Sequence, residues 1–421
     1  HTAVAAYDYT VFAGTQGYRN HAKLDRLVEL VERWRWPLVL FAEGGGGRPG
    51  DTETPWASAL AVPTFARFAG LSGRVPLVGI AHGNCFAGNA ALLGCCDVVV
   101  ATRGSSIGMG GPAMVEGGGL GRYRPEDIGP VEDLVDNGVV DVLVDDEAAA
   151  VRTAKQYLSL VSREVAGDWQ CADQRVLRTL VPAERKRVYD VRAVVDALCD
   201  TGSVLELRPR FGGGVVTALA RVEGRPVGVL ASDPAVVGGA VTAEASDKAA
   251  RFLNLCEVHR LPVVSLVDTP GFMVGPESER EAAVRRMARL FLRAAHLTVP
   301  VLAVSLRRGY GLGAMALTGG QFLSPALHVS WPSGEFGGMG LEGAVRLAMR
   351  RELEAIADPE ERERTFAEWV ALAYATGRAV NVAEHLELDA VIDPADTRAW
   401  LVRGLAATPV PPGTGGYLDA W

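Results

Sequence analysis

The sequence predicts an α/β chain in which one unit of roughly 200 residues is used twice. Three observations carry this. Apolar runs of strand length alternate with amphipathic stretches of helical period, glycine-rich turns follow several of the strands, and the second half repeats the first at a nearly constant offset.

In the first half, Ala3 to Ala6 and Thr10 to Ala13 read as strand pieces, with Gly14 to Gly17 as a turn. Asn20 is a candidate cap for a helix over His21 to Arg33, where Leu24, Leu27, Val28 and Val31 share one face. Leu38 to Ala42 reads as a buried strand, left steeply through Gly44 to Gly47, and Trp56 to Leu71 as the returning helix. Val75 to Ala81 is the next strand. His82 to Ala90 is its glycine-rich exit into a helix ending near Cys96. Asp97 to Ala101 follows as a strand, and Ser105 to Pro112 as a loop across the same end of the sheet.

The second half has the same order: strand Pro226 to Ala231, helix Ala245 to Val258, strand Val263 to Val267, loop Asp268 to Phe272 and helix Glu281 to Ala295. Strand Val301 to Leu306 then empties into Arg307-Arg308-Gly309-Tyr310-Gly311-Leu312-Gly313, before a helix from Ala314. Lys23 and Pro37 recur 225 residues on as Lys248 and Pro262; Pro76 and Phe86 recur 224 on as Pro300 and Tyr310. Gly108-Met109-Gly110 is matched to Gly338-Met339-Gly340 at 230. Residues 166 to 205 read as a linker and an approach helix. Beyond it, Leu341 to Leu353 and Glu360 to Ala375 read as helices, Val391 to Pro394 as a closing strand, and Pro409 to Gly416 as a mobile end.

Composition narrows the function. The 421 residues are 48% hydrophobic and 22% charged, with net charge -8, and Lys occurs only at 23, 155, 186 and 248, so no basic surface suits a nucleic acid. No apolar run approaches the roughly 20 residues that span a bilayer, so no membrane is expected. The six cysteines show no C-x-x-C spacing, which speaks against a metal site and for reduced thiols in a cytoplasm. The first residue is His1 with strand-like sequence behind it, from which a true start further upstream is expected.

A glycine turn between strand and helix directs backbone N–H groups at an anion, so the repeated exits are candidates for holding an enolate or ureido oxygen without an ionisable side chain. The plainer reading of each is tight helix packing. His82 beside the first exit reads as a satisfied loop histidine, and Glu116 as a general base only if the chemistry were hydratase-like. Arg307 and Arg308 could attract an anionic substrate or cap the surface.

With these residues in view, the sequence resembles the carboxyltransferase (β) component of biotin-dependent acyl-CoA carboxylases, of the propionyl-CoA carboxylase kind. The resemblance is densest at Glu223 to Gly228, Lys248 to Phe252, Val267-Asp268-Thr269-Pro270-Gly271-Phe272, Gly338 to Gly340 and Glu342 to Val345. It implies two tandem crotonase-like (ClpP/crotonase) β-β-α spiral domains, at 1–165 for the acyl-CoA side and 206–408 for the biotin side, with 409–421 as a tail. It implies a mechanism in which carboxybiotin on a separate carrier chain releases carbon dioxide. The biotin ring nitrogen takes the α-proton of a coenzyme A thioester, and the enolate captures the carbon dioxide. Carried over by position, Ala87 and Gly88 form the hole for the thioester oxygen, and Leu312 and Gly313 that for the biotin oxygen. Gly45, Gly46, Gly110, Gly111 and Pro112 line the acyl-CoA. Thr269, Pro270, Gly271 and Phe272 line the biotin, and Met315 the acyl pocket. Two positions depart from the family pattern of small residues, Leu312 and Ala87, and donors there require φ to stay negative. Biotin carboxylase and a biotin carboxyl carrier are the implied partners, in a homo-hexamer or homodimer. A decarboxylase or biotin-free enzyme acting on a malonyl-type thioester, and a non-catalytic assembly subunit, are the alternatives.

Overall fold

Strand β1 (Ala3–Ala6) starts a five-stranded parallel sheet that the first half of the chain completes with β2 (Leu38–Phe41), β3 (Leu77–Ala81), β5 (Val98–Thr102) and β7 (Val142–Val144), side by side in chain order. Just past β3 and β5 the chain adds two short strands, β4 (Asn84–Phe86) and β6 (Ser106–Gly108), which pair only with each other among the described residues. Each turn is thus long strand, short strand, helix: β3, β4, Gly88–Gly94, then β5, β6, Pro112–Gly117. The computed structural model describes residues 1–48, 50, 51, 58, 60–413 and 416–421.

The chain forms two compact units, one of 1–163, 206–211 and 413–421, the other of 164–205 and 212–412. In the second unit the sheet runs Ala390–Val391, Leu327–Ser330, Val301–Tyr310, Val263–Thr269, Arg225–Ser232, Val215–Val222. Only the last pair is antiparallel. Glu223 and Gly224, at φ 50° and 74°, make its two-residue hairpin turn, and the buried Asp200 carboxylate accepts both their N–H groups. Val215–Val222 is a continuous buried run with no polar alternation, and sequence reasoning missed it as a strand.

The duplication extends to backbone detail. Ala3 pairs with Leu38 as Gly228 pairs with Val263, and Leu38 with Leu77 as Val263 with Val301. Helices Tyr18–Trp34 and Ala243–His259 are both 17 residues long and end on arginines in the left-handed region, Arg35 and Arg260. The 3-10 turn Phe12–Gly14, where a strand was expected, has its twin in Val237–Gly239. In one respect the match shifts: Phe86 pairs with Gly108 as Tyr310 pairs with Gly337, which sets that offset at 229 instead of 230.

Other boundaries also move. Helix Tyr18–Trp34 is capped by Gly17, and Asn20 reaches back from inside to accept the Gly17 N–H at 3.1 Å. Trp56 lies outside the described residues, and the helix expected there is Thr64–Ala69. Strand Val301–Tyr310 runs four residues past Leu306, and its helix is Gly311–Leu317. The stretch read as a linker and an approach helix contributes helix Val191–Leu198, whose Val191, Val194, Val195 and Leu198 join the second unit's core. The end of the chain packs on the first unit: Leu418 is buried with its N–H on the Ser72 hydroxyl, while Thr414 and Gly415 are outside the described residues. All six cysteines are free; burial pushes the Cys199 thiol up to about 12, so it stays protonated. Among the described residues no helix is long and apolar enough to cross a membrane.

One buried polar pair ties the second sheet to pH. His328 Nδ1 faces the Phe322 carbonyl at 3.1 Å and must donate, so Nε2 accepts from the Ser305 hydroxyl at 3.0 Å. Desolvation outweighs the Phe322 bond and lowers the ring to about 4. The unfolded chain binds this proton below about 6.5 and the folded one does not, so stability falls as pH drops from about 6.5 to about 4, by about 3 kcal/mol in all. Urea midpoints measured across this range should show that slope, and His328→Met should flatten it.

Candidate active site

The first exit is built around Gly44–Gly47, which leaves β2 and lies against β4: Phe86 donates to the Gly44 carbonyl at 2.8 Å, and Gly44 to the Asn84 carbonyl at 2.8 Å. Asn89, fully buried, holds this turn in place, its Oδ1 accepting the Gly46 N–H at 3.0 Å and its Nδ2 donating to the Glu43 carbonyl at 3.1 Å. Gly46 approaches so closely that a Cβ there would stand 2.5 Å from the Ala87 Cβ and 3.4 Å from the Gly88 nitrogen. Gly45 donates to the Ala13 carbonyl and is part of the turn's frame. Gly111 caps helix Pro112–Gly117, with Pro112 at its first position, and it and Gly110 lie over Phe86 and under Met114 respectively.

Ala87 does not serve as expected. Its N–H donates to the Gly108 carbonyl at 2.9 Å, continuing the β4–β6 ladder, and its φ of 52° with ψ of -121° is positive, against the condition for a donor there. Gly88 is the first helical residue, and among the described residues its N–H has no acceptor. The Gly47 N–H has none either, while its neighbours are engaged through the parallel bridge to Gln16.

The second exit repeats this with other side chains. Thr269, Pro270, Gly271 and Phe272 stand where Gly44–Gly47 stand, and the bridge Gln16↔Gly47 has its counterpart in Val241↔Phe272. The Thr269 hydroxyl accepts the Gly271 N–H at 3.1 Å and is buried, so it folds the turn instead of facing a ligand. Phe272 packs edge-on against Phe291. Gly313 occupies the position of Asn89: a Cβ on it would stand 2.6 Å from the Gly271 carbonyl carbon and 2.7 Å from the Phe272 nitrogen, so backbone here meets backbone directly. Gly311 takes the left-handed φ, 59°, and Leu312 does not; its side chain is 60% exposed and crowds nothing inside. The Leu312, Gly313 and Phe272 N–H groups have no acceptor among the described residues. Met315, half-buried, is one turn from Leu312 on the same helix face.

Charge sits beside the second exit. Asp268, fully buried, receives the Tyr189 hydroxyl at 2.9 Å, Arg307 Nε at 3.1 Å, and Arg308 through both its backbone N–H at 3.2 Å and Nε at 2.7 Å. Arg307 is buried and not a surface cap, and the neighbouring carboxylate pushes the Tyr189 hydroxyl up together with burial. Tyr310 donates to Glu335, which Arg185 also pairs with. Asn89, Asp268, Tyr189 and Glu335 were given no role from sequence; for Asn89 and Asp268 a polar residue beside an apolar run was the available signal. His82 is an exposed loop residue bonded to Thr102 and, through its N–H, to Glu43. Glu116 is exposed and paired with Arg122, which leaves it no base's environment.

Comparison with known proteins decides the family. The Carboxyl transferase domain matches residues 1–409. The chain belongs to that family. It is 31% identical over 409 residues to the methylmalonyl-CoA carboxyltransferase 12S subunit of Propionibacterium freudenreichii subsp. shermanii, covering 95% of this chain and 77% of that one. To the biotin-dependent long-chain acyl-CoA carboxylase β4 subunit of Mycobacterium tuberculosis it is 30% identical, covering 96% and 78%. Among solved structures, a single-chain, multi-domain long-chain acyl-CoA carboxylase superposes at TM-score 0.88 with 58% identity, over 94% of this chain and 39% of that larger one. The hexameric transcarboxylase 12S with methylmalonyl-CoA bound superposes at 0.87 with 29% identity, over 98% and 81%. This carboxyltransferase therefore has two tandem crotonase-like domains, as its paired sheets and β-β-α turns require.

The first exit gives a stability prediction with two signs. Ala87→Gly releases a strained φ and should stabilise the protein by about 1 kcal/mol. Asn89→Ala leaves the Gly46 N–H and Glu43 carbonyl unsatisfied and should destabilise it by about 1–3 kcal/mol, both read from urea midpoints.

Proposed function

We propose that this chain is the carboxyltransferase of a biotin-dependent acyl-CoA carboxylase, with the thioester oxygen at the first exit and the biotin oxygen at the second. The observation that carries the reading is the repeated pair of uncommitted backbone N–H groups, Gly88 with Gly47 and Leu312 with Phe272, each fixed by contacts closer than a side chain permits. Donors held this way need no reorganisation as negative charge grows on an enolate oxygen. In this reading Gly88 and Leu312 hold the two oxygens, Gly313 acts as the close-packed spacer beside Phe272, and Ala87 is a ladder residue. Gly45, Gly46, Gly110, Gly111 and Pro112 wall the acyl-CoA side; Thr269, Pro270 and Gly271 shape the biotin side.

Biotin supplies, when bound in carboxylated form, the carboxyl group and a ring nitrogen able to take the α-proton. The second exit suits it: amide donors for a ureido oxygen, the Phe272 ring for an apolar bicycle, and no unpaired carboxylate, because Asp268 is fully engaged. This chain's residues then have three tasks. They hold the two oxygens, orient the α-carbon toward the ring nitrogen, and keep water from the enolate.

The acyl group is a long chain. The relative with 58% identity is a long-chain acyl-CoA carboxylase, and Leu312 and Met315 offer an apolar helix face. Biotin carboxylase and a biotin carrier are its partners. The assembly is a hexamer like that of transcarboxylase 12S, which would bury exposed Met109, Met114, Leu120 and Met339.

The test is fixation of labelled bicarbonate by the purified chain with biotin carboxylase, a biotinylated carrier and ATP. Fixation onto palmitoyl-CoA should exceed that onto acetyl- or propionyl-CoA. No fixation onto any thioester overturns the reading, and biotin-independent loss of carboxyl from malonyl-CoA points to a decarboxylase instead. Leu312→Pro, which removes one donor in the first turn of helix Gly311–Leu317, where no intrahelical bond is lost, should lower kcat about 100-fold with the thermal midpoint little changed.

A further inference from the structure

The guanidinium of Arg308 is held at one end only. Its Nε and backbone N–H are fixed on Asp268 Oδ1, while its two terminal nitrogens make no hydrogen bond or ion pair among the described residues. The side chain is 19% exposed, whereas Arg307 on the same carboxylate is 3% exposed and spends its Nη1 on the Glu184 and Arg187 carbonyls. Two guanidinium groups share one carboxylate, so a positive charge is left over, and it lies on the arginine that solvent reaches.

The neighbours fix where that charge sits. A Cβ on Gly239 would stand 3.7 Å from Arg308 Nη2 and 2.5 Å from the Asp268 carbonyl oxygen, and one on Gly238 would stand 3.9 Å from Nη1. The guanidinium therefore lies in the angle between the Val237–Gly239 turn and the start of the Asp268–Phe272 turn. Gly313 presses on the other end of that turn, at Gly271 and Phe272. Asp268 and Gly271 are three residues apart, a span of at most about 10 Å. The buried carboxylate of Asp233, just past strand Arg225–Ser232, is already taken by Arg192 Nη1 at 2.8 Å and the Ala235 N–H at 3.0 Å. A planar fork with two free donors, its stem clamped, is preorganised for a carboxylate.

The duplication supplies a control within the molecule. The counterparts of Asp268, Arg307 and Arg308 in the first half are Glu43, Gly83 and Asn84, and Asn84 Nδ2 meets only the Tyr9 hydroxyl, at 3.4 Å. The cation near the first exit, Arg48, comes from the other side of the turn: it lies over the Phe12 ring and donates to the Thr15 carbonyl and the Asn20 side chain, with no buried carboxylate among the described residues clamping its stem. An arginine clamped on a buried carboxylate is thus particular to the second exit.

Building on the function proposed above, we infer that Arg308 is a carboxylate-binding residue of the second cleft and takes the carboxyl group that the biotin ring carries. This makes the cleft distinguish carboxylated from bare biotin before any thioester is present.

The experiment measures binding to the full chain, without acyl-CoA, of three probes: biotin, N-carboxybiotin, and its neutral N-methoxycarbonyl analogue. Wild type should bind N-carboxybiotin about 10- to 100-fold more tightly than either neutral probe, the range of a charge-assisted hydrogen-bonding pair. Arg308→Met should erase that preference with the affinity for biotin retained, and Arg308→Lys should restore part of it. A wild type with no preference for the carboxylate, or a preference that survives Arg308→Met, overturns the inference. A preference seen only with the carrier-linked probe also overturns it, because the anion recognised would then belong to the carrier. Since binding is read without turnover, failed bicarbonate fixation sinks the proposed function and leaves this measurement to be judged separately. Should Arg308→Met not fold, Gly238→Glu, which places a competing carboxylate within reach of Nη1, should abolish the same preference.

Discussion

Much of this molecule follows from one contact, repeated: the first turn of a helix pressed against the turn that leaves the neighbouring strand, at a distance no side chain could occupy. In the second unit the contact is backbone on backbone, Gly313 on Gly271 and Phe272. In the first it is Gly46 on Ala87, with Asn89 as strut. Parallel strands in register bring the two turns to the same end of the sheet, and the short strands β4 and β6 lock the helix start against sliding. N–H groups left over by this packing cannot be satisfied internally, because the atoms that might accept from them are already spent on the ladder. An anion binding there completes the structure without having to distort it.

The two halves keep this geometry while exchanging the chemistry around it. Glu43 becomes Asp268, and the uncharged Gly83 and Asn84 become two arginines. A carboxylate buried with two guanidinium groups is costly to desolvate, and such a group is weak evidence for a stabilising role. Its retention beside one exit only is better understood as positioning: Tyr189 and Arg307 consume one oxygen, so that the other can fix Arg308 by its stem. The cost of burial then yields a rigid donor instead of a mobile one.

The sequence made the strand and helix order legible because burial on both faces leaves uninterrupted apolar runs, and made the duplication legible because proline and glycine mark the same chain reversals in each half. What it hid was of two kinds. Val215–Val222 carries no period to announce a strand, since both its faces are covered. Which backbone N–H groups stay without an acceptor was also hidden: sequence cannot tell that the β4–β6 ladder extends far enough for Ala87 to donate to Gly108. A ladder bond is decided by register, and register is a property of two segments at once. The place of the approach helix was hidden for a related reason, since Val191–Leu198 is held by a face that the second unit's core covers.

Leu312 shows how a residue can look wrong in sequence and be harmless in three dimensions. A branched side chain at a position of small residues suggests a blocked hole, but a helical residue's Cβ and its N–H point different ways, and the Leu312 N–H keeps no acceptor among the described residues. The demand for smallness falls on the neighbour, Gly313, whose Cα meets the opposing turn. Freed from that demand, Leu312 extends its apolar surface outward, one helical turn from Met315. The same exit therefore leaves its backbone N–H groups without an acceptor while its side chains present an apolar wall.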